Sequence, residues 1–186
     1  MTVYFIRHGE SQSNKDGIFA GQLDVPITPL GISQAREAGE KLRASGIKID
    51  TILSSPLVRA YKTAIEVAYA IHFPVDQIIV DPRLRERSLG TFEGKPSSDI
   101  SRMPAMSEDD QRKEGMETIS MLQERAHEVL KSLEALKGNV LVVSHNGFGR
   151  GLFSIRHGVK FFDIKRLPNA EVIDLDDLST IEHRNG

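Results

Sequence analysis

The 186-residue chain contains no cysteine. Disulfides and thiolate metal sites are therefore excluded, and the absence suits a reducing compartment. The amino terminus lacks a basic region followed by a long apolar one, and nowhere is there an apolar run of the roughly 18 residues that a spanning helix needs. Neither a signal peptide nor a membrane span is expected, and a cytoplasmic location is the default. An excess of charge is missing too. The 24 basic and 26 acidic residues leave a net charge of -2, so no nucleic-acid or membrane surface is expected. No internal repeat or low-complexity tract divides the chain, and no Gly-X-Ser-X-Gly elbow of a serine hydrolase occurs. What remains, with 39% hydrophobic and 27% charged residues, is an ordinary globular composition at a length that suits one domain over 1–186.

The informative residues are concentrated in a few places. Val3-Tyr4-Phe5-Ile6 is a short apolar run that stops at Arg7-His8-Gly9-Glu10-Ser11. Such a run, rich in β-branched and aromatic types, suits a strand covered on both faces, as in a parallel sheet. Open α/β sheets hold ligands just beyond the carboxyl ends of these strands. A neutral imidazole there is a nucleophile or base, and an adjacent guanidinium is a fixed fork for phosphate or carboxylate. The bland alternative is a structural histidine at a strand end, so the pair needs partners elsewhere.

A long glycine-containing loop follows, and loops of that length in compact domains are often functional. Thr28-Pro29 reads as the cap and first position of a helix. Ile32, Ala35, Ala38, Gly39 and Leu42 mark its buried face until Ser45-Gly46. A strand over 50–54 leads to Ser55-Pro56, a second cap-plus-proline signal, and to a helix ending before Pro74 with Arg59 in its first turn. Arginine there opposes the helix dipole. It is either an exposed side chain with a small penalty or a group reaching an anion at that helix end. A third strand is expected over 77–80. Arg83, Arg85 and Arg87 then surround Glu86, which reads as a self-neutralising surface cluster or as one carboxyl group held at the rim of an anion pocket. Residues 95–115 are irregular and polar, a variable insertion or lid. The longest helix is expected over 117–136, with Met121, Leu122, Arg125, Val129, Leu130, Leu133 and Leu136 on its buried side.

Val140-Leu141-Val142-Val143 then runs into Ser144-His145-Asn146-Gly147, an echo of the opening pattern. A helix over 148–156 closes on Arg156-His157-Gly158, where the glycine reads as a helix cap and His157 is given no catalytic part. Residues 169–175 alternate like an edge strand that could pair between subunits, and 182–186 read as a loose tail. Strands separated by helices normally lie parallel with right-handed crossovers. His8 and His145 are therefore expected on one sheet edge with Arg7 and Arg59. A metal site would want carboxylates beside the imidazoles, and two arginines would repel a divalent cation. Phosphoryl transfer fits better, because positioning and charge neutralisation are its main demands.

Arg7-His8-Gly9-Glu10-Ser11 with Asn14, Gly21, Leu30-Gly31 with Gln34-Ala35, Ser54-Ser55-Pro56-Leu57 with Arg59-Ala60 and Thr63-Ala64 form an ordered series. It continues through Arg85-Glu86 with Gly90 and Glu93-Gly94, a segment from Gly115 to Arg125, Ser144-His145 with Gly147, and Asn169-Ala170-Glu171. The series resembles the phosphoglycerate mutase-like branch of the histidine phosphatase superfamily and spans most of the chain. The resemblance implies a three-layer α/β/α sandwich around a mostly parallel sheet. It implies that His8 takes the phosphoryl group as a phosphohistidine, that Arg7, Arg59 and His145 bind its oxygens, and that Glu86 protonates the leaving oxygen and later activates water. Asn14 and Gln22 are implied as neutral donors to the phosphoryl group or substrate, with Gly21 in the same binding loop. Neither metal nor organic cofactor is implied.

The departures from the family pattern are specific. Asn146 stands where many members have a small residue after the second histidine, and so becomes a candidate contact near the pocket. No aromatic residue follows Glu86 closely, and only Arg112-Lys113 could stand in for the paired basic residues of the mutases. The reading is therefore a metal-independent phosphomonoester hydrolase acting on a small phosphorylated metabolite, with a phosphoprotein as a second substrate class. A phosphoglycerate mutase is the enzymatic alternative, and a catalytically silent module that binds phosphorylated ligands is the alternative of another class. Arg83, Arg85, Arg87, Lys95 and Arg102 are candidates for a second phosphate or carboxylate, each more simply explained as an exposed side chain.

Overall fold

The computed structural model describes residues 1–98 and 106–181. The loose tail over 182–186, Arg102 and the middle of the proposed insertion, 99–105, lie outside the described residues. In chain order the elements are β1 (Val3–Arg7), α1 (Gln12–Asp16), α2 (Pro29–Ala44), β2 (Thr51–Ser54), α3 (Val58–Ala70), β3 (Ile79–Val80), α4 (Glu108–Lys113), α5 (Ile119–Glu134), β4 (Val140–Ser144), α6 (Asn146–His157) and β5 (Val172–Asp174).

Strand alternation builds the layers. β1 turns Phe5 to one face and Ile6 to the other, and β4 does the same with Val140 and Val142 against Leu141 and Val143. A strand apolar on both faces needs cover on both. On one side α5 contributes Leu122, Ala126, Val129 and Leu133, and α6 contributes Phe148, Leu152 and Phe153. On the other, α2 brings Ala38 and Leu42, and α3 brings Ala60, Ala64 and Val67. The sheet runs β3-β2-β4-β1-β5. Its first four strands are parallel, and β5 lies antiparallel along β1 at the edge. The three-layer, mostly parallel sandwich expected from the sequence is the observed one.

Several boundaries differ, mostly because caps come from remote residues. α3 starts at Val58, beyond Ser55-Pro56, and its cap residue Leu57 offers no side-chain acceptor. Asp24 supplies it instead, accepting the Val58 N–H at 2.7 Å. α6 starts at Asn146, two residues before the expected position. α5 begins after Thr118, and its buried stripe runs Leu122, Ala126, Val129, Leu133, while Met121 is 48% exposed. Gln77 belongs to a 3-10 turn, which leaves β3 two residues long. Within the segment read as irregular, α4 forms and is anchored by buried Gln111, whose Oε1 accepts from Arg87. Arg87 itself is buried, which corrects its reading as an exposed side chain. Gly158 caps α6 at φ 65°, so His157 closes a helix as expected.

α6 lies against β1 at Gly149. A Cβ there would stand 2.4 Å from Phe5 Cζ and 2.5 Å from Leu167 Cδ1. Gly149→Ala is expected to lower the urea unfolding free energy by about 1–3 kcal/mol, despite alanine's better helix propensity of about 1 kcal/mol. A variant as stable as the parent would contradict this packing.

Candidate active site

The β1–β4 register places the site. Arg7 lies opposite Ser144, and the His8 N–H continues the ladder by donating to the Ser144 carbonyl at 2.9 Å. His8 and His145 therefore emerge side by side, their ring centroids 5.1 Å apart. β2 extends the arrangement by one strand. The Ser55 N–H donates to the Val143 carbonyl at 3.0 Å, which sets Ser55 Oγ 2.8 Å from His145 Nε2. The sequence signal at Ser55 suggested a helix cap; its hydroxyl instead serves the second histidine.

Hydrogen bonding assigns the protons. His8 Nδ1 lies 2.7 Å from the Gly9 carbonyl, which can only accept, so the ring proton sits on Nδ1 and Nε2 carries the lone pair. The Arg59 Nε–H donates to that Nε2 at 3.3 Å. Ser55 Oγ accepts from the Leu57 N–H at 3.3 Å and lies 2.8 Å from His145 Nε2; with the hydroxyl as the donor of that contact, the ring carries its proton on Nδ1. Among the described residues, His145 Nδ1 is buried without a hydrogen-bond partner, as is Arg7 Nε. Unpartnered buried polar atoms are costly, and two in one crevice mark a place where an anion would be welcome.

Both guanidinium groups are tied to the main chain. Arg59, only 1% exposed, donates Nη1 to the Leu23 carbonyl at 2.7 Å and Nη2 to the Gly21 carbonyl at 2.8 Å. Arg7 donates Nη1 to the Leu167 carbonyl at 2.8 Å. Burial, with Arg166 nearby, pushes the Arg7 guanidinium down to about 10, which keeps it cationic at neutral pH. Burial also lowers Arg59, opposed by the negative charges of Glu86, Asp24 and Glu93. Burial first, then Arg59 and Arg7, holds His8 well below the ordinary imidazole value. His145 is lowered in the same direction by burial, then by Arg59 and His8. Both rings are thus neutral at physiological pH, as a nucleophile and a hydrogen-bond donor would need.

Glu86 sits at the amino end of α6. Its Oε2 accepts from the Gly147 N–H at 3.0 Å, and its Oε1 accepts from the N–H groups of Phe148 at 2.9 Å and Arg87 at 2.8 Å. A carboxylate is favoured at a helix amino terminus, and this one is the cap that the sequence around His145 lacks. The bidentate pair of Arg125 with Glu117, at 2.6 Å and 2.8 Å, steadies the same loop, because Arg125 also donates to the carbonyls of Arg83 and Arg85.

The remaining expected contacts are tied into this scaffold. Asn14 Oδ1 accepts from the Ser11 N–H and from Asn169 Nδ2. Gln22 Nε2 donates to the Glu86 carbonyl at 3.0 Å. Asn146 Oδ1 accepts from the Leu167 N–H at 3.0 Å, so it steadies the residue whose carbonyl holds Arg7. Arg83 pairs with Asp81 at 2.7 Å. Ser55, Asp24, Glu93 and Asn169, which donates to the His8 carbonyl at 2.7 Å, were not singled out as site residues. A cleft of about 670 Å³ between α2 and β5 is lined by Tyr4, Lys41 and Glu171 and holds none of the buried cations; the chemistry lies elsewhere.

The chain matches a family model described as the histidine phosphatase superfamily, branch 1, over residues 3–184. The chain belongs to that superfamily. Among curated relatives, it is 35% identical over 133 residues to fructose-2,6-bisphosphatase TIGAR B of Danio rerio, covering 69% of this chain and 51% of that protein. It is 37% identical over 98 residues to a 2,3-bisphosphoglycerate-dependent phosphoglycerate mutase of Mesorhizobium japonicum, covering 53% and 48%. The chain thus spans about half the length of these relatives. Among solved structures, a mycobacterial glucosyl-3-phosphoglycerate phosphatase with VO3 superposes with a TM-score of 0.78 at 25% identity, covering 92% of this chain and 90% of that one. The relatives of this superfamily chain include both phosphatases and mutases.

The buried imidazoles make stability depend on pH. Above about pH 6.5 the folded and unfolded chains both carry neutral rings, and neither histidine adds a pH dependence. Below it the unfolded chain binds protons that the folded one refuses. Stability then falls on acidification by up to about 1.4 kcal/mol per pH unit for each ring. Urea unfolding should show the slope between about pH 6 and pH 5 reduced by roughly 1 kcal/mol per unit in His145→Gln. An unchanged slope would mean that His145 titrates normally in the folded protein.

Proposed function

We propose that this protein is a metal-independent phosphomonoesterase that works through a phosphohistidine on His8. The observation that carries the proposal is the unprotonated His8 Nε2, fixed by the Nδ1 contact to Gly9 and faced by the Arg59 guanidinium. In the first step the Nε2 lone pair attacks phosphorus, a P–N bond forms and the bond to the leaving oxygen breaks. Arg7, Arg59 and the His145 Nδ1–H neutralise charge on the equatorial oxygens. Glu86, in its carboxylic acid form, gives the leaving oxygen a proton. In the second step water attacks the phosphohistidine, the P–N bond breaks, the Glu86 carboxylate takes the proton from water, and inorganic phosphate departs.

Water is favoured over a second substrate hydroxyl by the state of the basic pair. Arg112 is bridged to Glu108 and Asp109, and Lys113 to Asp110, all within α4. These two cations are neutralised by their own helix, which weakens the mutase alternative. The relatives' names support small phosphorylated metabolites such as sugar phosphates and phosphoglycerates as the substrate class.

Assays with a chelator present over sugar phosphates, phosphoglycerates, nucleotides and phosphopeptides should release inorganic phosphate. His8→Ala should reduce turnover by at least about 10³-fold and abolish an acid-labile phosphoenzyme. Glu86→Gln should cost about 10²–10⁴-fold with alkyl phosphates and much less with aryl phosphates, whose leaving oxygens need no acid. Isomerisation without phosphate release would replace this reading by the mutase. Neither turnover nor a phosphoenzyme would replace it by the phospho-ligand binding module.

A further inference from the structure

Glu93 hydrogen-bonds to neither His8 nor either arginine, yet one of its oxygens gathers the loops on which both sides of the crevice depend. Glu93 Oε1 accepts the N–H of Gln22 at 3.0 Å and the N–H of Leu89 at 3.0 Å, with Ser88 Oγ at 3.5 Å. The Gln22 N–H and the Gly21 carbonyl belong to one peptide unit. In a planar trans peptide these groups point in opposite directions and turn together. The Gly21 carbonyl is the acceptor for Arg59 Nη2. Fixing the N–H on one side of that plane therefore fixes the acceptor on the other.

Two further observations bear on the same peptide. Gly21 has φ +50°, and a Cβ there would lie 2.2 Å from Glu93 Oε1, so the backbone is pressed directly against the carboxylate, an approach open to glycine. The Gln22 side chain donates to the Glu86 carbonyl, which links the loop to the residue assigned as the acid.

We propose that Glu93 is a positioning residue for Arg59, acting through the Gly21–Gln22 peptide to hold the guanidinium fork in line with His8 Nε2. The inference rests on the phosphohistidine reading for its catalytic consequence, but its effect on anion binding stands apart from turnover. Without the Glu93 acceptor the peptide is free to rotate, Arg59 Nη2 loses its partner, and the fork is no longer pre-organised. Misplacement of about 1 Å at a phosphate clamp can cost about 10²-fold in rate.

The test compares Glu93→Ala, Glu93→Gln and Arg59→Ala, alone and combined. The first readout is calorimetric affinity for inorganic phosphate, and the second is single-turnover cleavage of p-nitrophenyl phosphate, whose leaving group needs no acid. Glu93→Ala should weaken phosphate binding about tenfold and slow cleavage by about 10- to 100-fold. Glu93→Gln keeps a carbonyl oxygen for the two backbone donors and should stay within about threefold of the parent. In an Arg59→Ala background, Glu93→Ala should change phosphate affinity less than about twofold, as expected of residues acting as one unit. If Glu93→Ala does not fold, Glu93→Asp, which withdraws the carboxylate by one methylene, is read in its place. Unchanged phosphate affinity in the Ala variant, equal losses in Ala and Gln variants, or additive losses with Arg59→Ala would overturn the proposal. A parent protein with no turnover whose phosphate affinity still follows this pattern would refute the phosphatase reading and leave the positioning role standing.

Discussion

Everything around the crevice follows from burying an unpaired cation. Among the described residues Arg59 is the largest of the fully buried side chains, and none of them forms a salt bridge with it. A buried charge is tolerated when its donors are satisfied and compensating charge is near. Here the donors reach main-chain carbonyls, and compensation comes at a distance from Glu86, Asp24 and Glu93. That solution dictates the loop from Gly21 to Asp24. It must present two carbonyls inward, cap α3 through Asp24, and lie against Glu93 at a glycine. A carboxylate paired directly with Arg59 would have been a simpler way to bury it, and would have left no cation for a phosphoryl group.

The second constraint is sheet register. A one-residue slip between β1 and β4 would turn every side chain of one strand to the opposite face, and the layers of Phe5 with Val142 and Ile6 with Val143 forbid it. The core packing that makes the sandwich therefore also sets His8 beside His145, and Ser55 beside His145 through β2. Precision at the strand ends is inherited from burial in the strand middles.

This explains which features could be seen in the sequence. The two apolar runs ending in histidine carry their own signal, because burial on both faces leaves no polar residue until the sheet edge, and Thr28-Pro29 caps its helix from the adjacent position. Ser55-Pro56 looked the same but failed, since the acceptor that caps α3 is Asp24, more than thirty positions earlier in the chain. Asn146 fell outside the helix expected from 148, whereas α6 already begins there, its amino end capped by Glu86 from about 60 positions earlier. Arg87 lay in a run of charge that read as surface, and its burial depends on Gln111 and the Glu117 carbonyl, about 24 and 30 positions away. Glu93 could have been found only through the Gly21–Gln22 peptide. Contacts closed by distant partners leave no local periodicity to detect.

Two orphaned polar atoms at the crevice complete the physical picture. His145 Nδ1 and Arg7 Nε are buried without partners, although every other side-chain nitrogen discussed for Arg59 has one. Satisfying them with protein carbonyls, as was done for Arg59, would have lowered the energy of the empty site and made it a worse receptor. Under the proposed mechanism, leaving them unpaired stores the cost in the free protein and returns it when an anion arrives, most of all when charge concentrates on the equatorial oxygens in the transition state. Neutral imidazoles serve the same end. If His8 were charged it could not attack, and if His145 were charged the crevice would hold three cations before substrate bound. Burial beside the two arginines therefore does more than hide the histidines from water: it holds both rings neutral, which is the state the proposed mechanism asks of them.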